Sequence, residues 1–153
     1  MQNTQQGFTL GQLLITMAIA AILAAIAIPS YLHHIQNGNL QRAHAALLEN
    51  AHFMERFYQQ NRTFKQTSTT WPELPVSETN AFCIRVQGKA QGAHDNQFTL
   101  KAVALDKNDE PRILKINESL ITMVCEDSIS SCKDGENVFS GNDSTDKSCS
   151  VFK

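Results

Sequence analysis

The segment from Phe8 to Ile28 constrains the fold more than any other part of the chain. It contains 21 residues, none of them charged and most of them apolar, and as a helix it would span a bilayer core of about 30 Å. A cleaved secretory peptide would have a basic start and a shorter apolar core that ends at a small-residue site. Residues 1–7 hold no Lys or Arg, and the apolar run ends at Pro29. The segment is therefore interpreted as a retained anchor.

A helical pattern continues beyond Pro29. Apolar residues recur there at spacings of three and four, which is the period of one helix face. The positions that share this face are Leu40, Ala43, Leu47, Ala51, Met54 and Tyr58. The pattern predicts that the helix extends to Asn61 and that its second half covers a sheet.

Four runs with a period of two follow the helix. They are "AFCIRVQG", "QFTLKAVAL", "RILKIN" and "SLITMVCE", and a period of two with one apolar face is typical of a sheet covered on one side. In the preceding loop, Phe64, Trp71 and Leu74 are expected to pack on the domain. Residues 127–153 are polar and lack periodicity, which predicts a loop. The predicted fold is α+β, with a long N-terminal helix packed on a four-stranded antiparallel sheet and a disulfide-tied C-terminal region.

All four cysteines, Cys83, Cys125, Cys132 and Cys149, lie in the second half of the chain. An even count beside an export segment predicts two disulfides in an oxidising compartment, with four reduced thiols as the alternative. Zinc is disfavoured because no CxxC pair occurs. Of the three pairings, joining Cys125 to Cys132 would leave the tail tied to the first strand alone. We predict Cys83–Cys132 and Cys125–Cys149, which tie both ends of the tail to the sheet.

Basic residues are concentrated between positions 85 and 115, although the formal net charge of the chain is −2. Alternation along the predicted strands places Arg85, Lys101 and Lys115 on the solvent face, where they would form a line if the strands adjoin. Such a line suits phosphate contacts to DNA, and the alternative is an ordinary solvated sheet face. The further basic residues of this region are Lys89, Lys107 and Arg112.

Polar side chains of the first hairpin loop are candidates for reading base edges, because amides pair well with adenine. They are Gln87, Gln91, His94 and Asn96, and the alternative is a flexible polar hairpin. Acidic residues of the tail would repel phosphate, namely Asp134, Glu136, Asp143 and Asp146. The sequence offers no nucleophile–base set, phosphate loop or paired metal ligands. We therefore predict no catalysis, no metal and no cofactor.

The string "GFTL" before the apolar helix, with Pro29 at its end, resembles the start of the type IV pilins. The resemblance implies that a prepilin peptidase cuts between Gly7 and Phe8 and that the new N-terminal Phe8 is methylated. It also implies residence in the inner membrane before assembly with major pilin subunits into an extracellular pilus. The expected divisions are a leader (1–7), a transmembrane or filament-core half-helix (8–29) and a globular domain in the periplasm or outside the cell (30–153).

Gln12 stands at the position where the pilin family places a glutamate. In the family, that carboxylate is thought to neutralise the terminal amine of a neighbouring subunit during assembly. The amide oxygen of Gln12 still accepts a hydrogen bond but supplies no charge. The first seven residues also lack the basic residue that is usual in the family.

Four further strings, "AALLENAHFMERFY", "FKQTSTTWPELP", "FCIRVQGKAQGA" and "FTLKAVALDKN", resemble the ComP family of minor pilins, receptors for DNA-uptake sequences in natural transformation. The resemblance implies binding of short, biased double-stranded DNA words through a basic stripe at Arg85, Lys101 and Lys115. The loop after the first strand and the region between the last cysteines contribute in that family. The alternative is a minor pilin or pseudopilin that builds or modulates filaments without binding DNA. The absence of a catalytic set counts against an anchored enzyme.

Overall fold

The computed structural model describes residues 9–132 and 145–153. The expected cleavage site at Gly7 and Phe8 lies outside these residues, as do three of the tail acids, Asp134, Glu136 and Asp143. The chain divides into two units, one that ends at Asn37 and one formed by Gly38–Lys153.

Helix α1 is Leu10–Asn61 and contains Pro29. Within the first unit its large apolar side chains are exposed, from Leu10 to Ile35. This part of α1 is long and apolar enough to cross a membrane. No charged residue occurs over this stretch, which is consistent with membrane anchoring.

The second unit is built on one antiparallel sheet whose strands lie side by side in chain order. The strands are β1 (Phe82–Val86), β2 (Thr99–Ala104), β3 (Ile113–Asn117), β4 (Thr122–Ser128) and β5 (Asp146–Val151). The prediction of four strands and a C-terminal loop was wrong by one strand. Strand β5 was missed because its residues are mostly polar on both faces, so no hydrophobic period marks it.

The predicted apolar face of α1 packs against one face of the sheet. From the helix, Leu40, Leu47 and Met54 are buried, and from the sheet, Phe82 and Leu100 meet them in one core. Asn50 lies on the same buried face and exchanges two hydrogen bonds with the backbone of Val76, at 2.6 and 3.0 Å. The period of three and four therefore identified the covering face correctly.

The end of α1 is set by Arg62, whose φ of 61° is left-handed and whose amide donates to the Tyr58 carbonyl. A residue in this conformation after the last turn is a common way to stop a helix. In the loop that follows, Phe64 is buried in the core, and Trp71 and Leu74 pack against it. The prediction that these three side chains hold the loop on the domain is confirmed.

The second face of the sheet is also covered. Disulfides join Cys83 to Cys132 and Cys125 to Cys149, the pairing that the sequence analysis predicted. Around them a smaller core forms from Val103 and Ile113. Residues 128–132 and 145–146, called the C-terminal cover below, contribute the polar contacts on this face. The expectation of a sheet covered on one side only was therefore wrong.

The two edges of the sheet differ. Strand β1 is flanked by the preceding loop, since Glu78 bridges to Cys83 and the Ile84 amide donates to the Ser77 carbonyl at 2.7 Å. Strand β5 forms the other edge, and Ser148 within it has a left-handed φ of 52°. Lys147 and Ser148 are exposed there.

Candidate nucleic-acid interface

Three basic residues stand in register across the first three strands. Arg85 is the partner of Lys101 in the β1–β2 pair, and Lys101 is the partner of Lys115 in the β2–β3 pair. Neighbouring strands lie about 4.8 Å apart, so the three backbone positions form a short line. The predicted alignment is confirmed, and all three residues are on the face opposite α1.

Lys101 is not on the solvent face. Its side chain is 0% exposed, and its Nζ lies 2.7 Å from Asp146 Oδ1 and 2.6 Å from Ser130 Oγ. The C-terminal cover encloses the ammonium group, which alternation within one strand could not reveal. A signal was present: "LKAVAL" is an almost continuous apolar run, which is typical of a strand buried on both faces.

Asp146 is the residue on which the polar contacts of this face converge. Its Oδ2 lies 2.9 Å from Lys115 Nζ, and its Oδ1 accepts from Ser128 Oγ at 2.6 Å as well as contacting Lys101. Burial by itself raises the pKa of the Asp146 carboxyl. The hydrogen bonds from Lys101, Ser128 and Lys115 outweigh burial, so the pKa lies below its ordinary value.

Asp146 was expected to repel phosphate, but its position in the structure does not support that expectation. The side chain is 2% exposed and faces two ammonium groups, so its charge is matched within the protein. For Lys101, burial lowers the pKa more than the hydrogen bond and the charge of Asp146 raise it. The sequence alone did not indicate Asp146 as the partner of these lysines, because no hydrophobic period marks the strand that carries it.

Arg85 and Lys115 lie on either side of the buried Lys101 and reach the surface. Arg85 is exposed, and its Nη2 donates to the Cys132 carbonyl at 3.4 Å. The Lys115 side chain is 21% exposed. Two of the three predicted stripe residues can therefore contact a ligand, while each also helps to hold the cover.

The other basic residues of the region differ in their surroundings. Lys89 is exposed on the first hairpin loop. Lys107 is partly buried and donates to the Ser128 carbonyl at 2.7 Å. Arg112 forms two short contacts with Glu110, at 2.6 and 2.7 Å, and the hydrogen bonds to Glu110 raise the pKa of Arg112. The charge of Arg112 is thus matched locally. Lys89 therefore suits a phosphate contact better than Arg112 does.

The hairpin loop, residues 87–97 between β1 and β2, presents polar side chains to solvent. Gln91, His94 and Asn96 are exposed, whereas Gln87 is half-buried. The backbone turns at Gly88 and Gly92, whose φ values of 78° and 81° belong to the left-handed region that favours glycine. The loop therefore has defined turns rather than an arbitrary path.

A groove of about 350 Å³ lies between the loop after α1 and strand β1. Its lining combines apolar side chains such as Trp71 and Ile84 with two cations and three hydroxyl groups, which belong to Arg85, Lys89, Thr69, Thr70 and Ser77. The groove places the exposed end of the basic line beside the hairpin loop. Among the described residues no group of three potential metal ligands occurs.

Gln12 has a local role at the start of α1. The Thr9 amide donates to Gln12 Oε1 at 3.1 Å, and the Gln12 amide donates to Thr9 Oγ1 at 3.4 Å. This reciprocal pair is a capping box, which satisfies two amides that a helix start leaves without partners. An amide at this position therefore stabilises the first turn even though it carries no charge.

The chain is similar in sequence and fold to known minor pilins. Residues 29–112 match a family described as "Type IV minor pilin ComP, DNA uptake sequence receptor". The chain is 53% identical to the minor DNA-uptake pilin ComP from Neisseria subflava, with a TM-score of 0.59 over 74% of this chain and 95% of that one. A minor pilin from Neisseria meningitidis, PilV, shares the fold at 21% identity and a TM-score of 0.50, covering 72% and 98% of the two chains.

Curated relatives match over a shorter stretch. The type IV major fimbrial protein FimA from Dichelobacter nodosus is 50% identical over 42 residues, which are 28% of this chain and 27% of FimA. The chain thus spans about a quarter of the length of the curated relatives that it matches.

Proposed function

This chain belongs to the ComP family of type IV minor pilins, and from that premise we propose that it binds extracellular double-stranded DNA, with preference for short uptake sequences, during natural transformation. The observation that carries the proposal is the register of Arg85, Lys101 and Lys115 across three adjoining strands. Arg85 and Lys115, at the two ends of this line, reach the surface, and surface cations suit phosphate contacts, which position a protein on DNA without reading its sequence.

We assign the direct phosphate contacts to the cations that reach the surface. Arg85 and Lys89 are exposed, and Lys107 and Lys115 are partly exposed. Arg112 is a weaker candidate, because two of its nitrogen atoms are held by Glu110, which matches part of its charge. Lys101 no longer has this role, because its ammonium is enclosed. Its contribution is to hold the C-terminal cover beneath the ligand.

Base reading falls to the hairpin loop. Gln91 and Asn96 offer amides that pair with adenine in the major groove, and His94 offers a ring nitrogen. All three are exposed beside Lys89, so a duplex held by the cations would bring base edges to them. Gln87 is half-buried and would contribute at the margin of the contact.

The proposal is tested by titrating labelled duplex with the full chain in non-ionic detergent at two salt concentrations. Arg85→Ala and Lys115→Ala should each weaken binding to every sequence by a similar factor and reduce the salt slope by about one unit. Arg42→Ala removes an exposed cation from α1 and serves as the charge-matched control. Equal affinity and equal salt slope for the wild type and a variant that combines Arg85→Ala with Lys115→Ala would contradict DNA binding through this face.

A second candidate function is a pilin that builds filaments without binding DNA. It is favoured by one observation: Asp146 neutralises part of the charge of Lys101 and Lys115 within the protein. In either function we propose removal of residues 1–7 by a prepilin peptidase, passage through the inner membrane and assembly with major pilin subunits. The exposed apolar part of α1 supports both. Duplex titration separates the two functions.

A further inference from the structure

We propose that Lys65 and Trp71 are positioning residues that hold the hairpin loop in one conformation and thereby set which DNA sequences are preferred. The inference rests on the proposed function, since it concerns the same loop. It adds two residues from the segment after α1, neither of which belongs to the basic line. Their contacts anchor the loop at two separate points.

The first anchor is near the start of the loop. Trp71 Nε1 donates to the Gly88 carbonyl at 2.9 Å. Gly88 is also the first residue of the loop with a left-handed φ, so the indole fixes the backbone where it leaves strand β1. The Trp71 ring is partly buried against the core, which fixes the donor itself.

The second anchor is near the end of the loop. Lys65 Nζ donates to the Ala93 carbonyl at 2.6 Å and lies 2.8 Å from Asp95 Oδ1. The Phe64 amide donates to the Asp95 carbonyl at 2.9 Å. Phe64 in turn packs against Phe98, with ring centroids 4.7 Å apart. Backbone, charge and aromatic contacts at Ala93, Asp95 and Phe98 therefore hold the end of the loop.

The two anchors bracket the candidate reading residues. Gln91 lies between the Gly88 and Ala93 contacts, and His94 and Asn96 flank the Asp95 contact. Exposed side chains on a backbone that is already fixed lose less conformational entropy on binding. They also meet base edges at set distances, which is what discrimination between sequences needs.

Lys65 is suited to positioning rather than to phosphate contact. Its side chain is 12% exposed, and its charge faces the Asp95 carboxylate. Trp71 carries no charge and uses its only donor on Gly88. Loss of either anchor should therefore change the preference among sequences more than the total affinity for DNA.

To test this inference, the full chain in non-ionic detergent is used to capture duplexes from a library in which ten base pairs are randomised. Trp71→Phe keeps an aromatic ring and the net charge but removes the donor. Lys65→Met keeps most of the side-chain length and removes the ammonium. Lys147→Met removes the same charge from β5, at the opposite edge of the sheet, and is the matched control. Backbone amide exchange of the loop and of strands β2 and β3 is measured on each variant.

The wild type and Lys147→Met should enrich the same words. Trp71→Phe and Lys65→Met should lose about tenfold of that enrichment, the order of one lost base contact. Loop amides should exchange faster in both variants, while strand amides and the salt slope of Trp71→Phe stay as in the wild type. Lys65→Arg, which keeps charge and donors, should retain most of the enrichment.

Unchanged enrichment in both variants would overturn the inference and leave DNA binding intact. Capture without enrichment by the wild type would also overturn it, since there would be no preference to set. A wild type that captures no DNA would remove the proposed function and the inference together. Should one variant expose its strand amides, the other variant and Lys65→Arg decide the outcome.

Discussion

Asp146 contacts two lysines from different strands, so a single carboxylate ties β2, β3 and the C-terminal cover together. Removing it leaves Lys101 buried without an opposite charge. Removal of one partner of a buried ion pair lowers the free energy of unfolding by about 3–5 kcal/mol. The cover is therefore expected to depend on this residue more than on any exposed ion pair.

We predict that the stability of the domain falls in acid through Asp146. The carboxyl releases its proton more readily in the folded chain than in the unfolded chain. Its contribution is complete above the unfolded-state pKa of about 4 and is lost as the pH falls through the lower folded-state pKa. Thermal unfolding followed by circular dichroism between acid and neutral pH should show this loss in the wild type.

Asp146→Asn should lower the free energy of unfolding at neutral pH by about 3 kcal/mol and should flatten the acid dependence. The control is Asp127→Asn. Asp127 lies in β4, is exposed and pairs with Lys147 of β5, so its replacement should change the free energy of unfolding by less than about 0.5 kcal/mol. An acid profile for Asp146→Asn that matches the wild type would show that the buried carboxylate does not govern it.

At the scale of elements, α1 is joined to the loop before β1 by the amide of Asn50. The side chain is fully buried and satisfies both the amide and the carbonyl of Val76. We predict that Asn50→Ala lowers the free energy of unfolding by about 1–3 kcal/mol, because the carbonyl and the amide of the partly buried Val76 lose their partners. Urea unfolding should show a lower midpoint with an unchanged slope. Asn37→Ala, at an exposed position, is the comparison, and equal midpoints would contradict the prediction.

Periodicity identified the elements whose hydrophobic residues face one direction. The buried face of α1 and the first four strands carry such patterns, and the structure confirms them. Strand β5 carries none, because it sits at an edge and pairs mainly through backbone and Cys149. The burial of Lys101 was not predictable from its own strand, since it depends on Ser130 and Asp146, which are distant in the chain.

The site shows the same division between local and distant information. Alternation placed Arg85, Lys101 and Lys115 on one face, and the register confirms their line. Which of them meets solvent was decided by the cover. Nothing in the sequence indicated the contact between Lys65 and Ala93, because a lone lysine in a polar loop could contact many different groups or only solvent.

At the scale of the whole molecule, we predict that the mature chain starts at Phe8. Protein from a host with prepilin peptidase should have an intact mass that corresponds to loss of residues 1–7 and addition of one methyl group. A catalytically inactive peptidase in the same host provides the control. An intact first residue, or cleavage after Pro29, would contradict a pilin pathway for this chain.

Assembly into filaments should respond to charge at position 12. Gln12→Glu restores a carboxylate and keeps the capping box with Thr9, since Gln and Glu both serve at this position. We predict a higher recovery of the variant in sheared filaments, with helix content unchanged. Gln12→Ala should reduce recovery through loss of the cap. Equal recovery of Gln12→Glu and the wild type would mean that assembly here does not use that charge.

The left-handed Ser148 has a bearing on how these domains behave when crowded. A straight, uncovered edge strand is a template for aggregation between molecules. The left-handed φ of Ser148 interrupts the regular path of β5, and the ammonium of Lys147 beside it would be desolvated by an incoming strand. The other edge is already occupied by residues 77–79. Neighbouring copies can therefore stand side by side at high density without fusing their sheets into an amyloid-like ribbon.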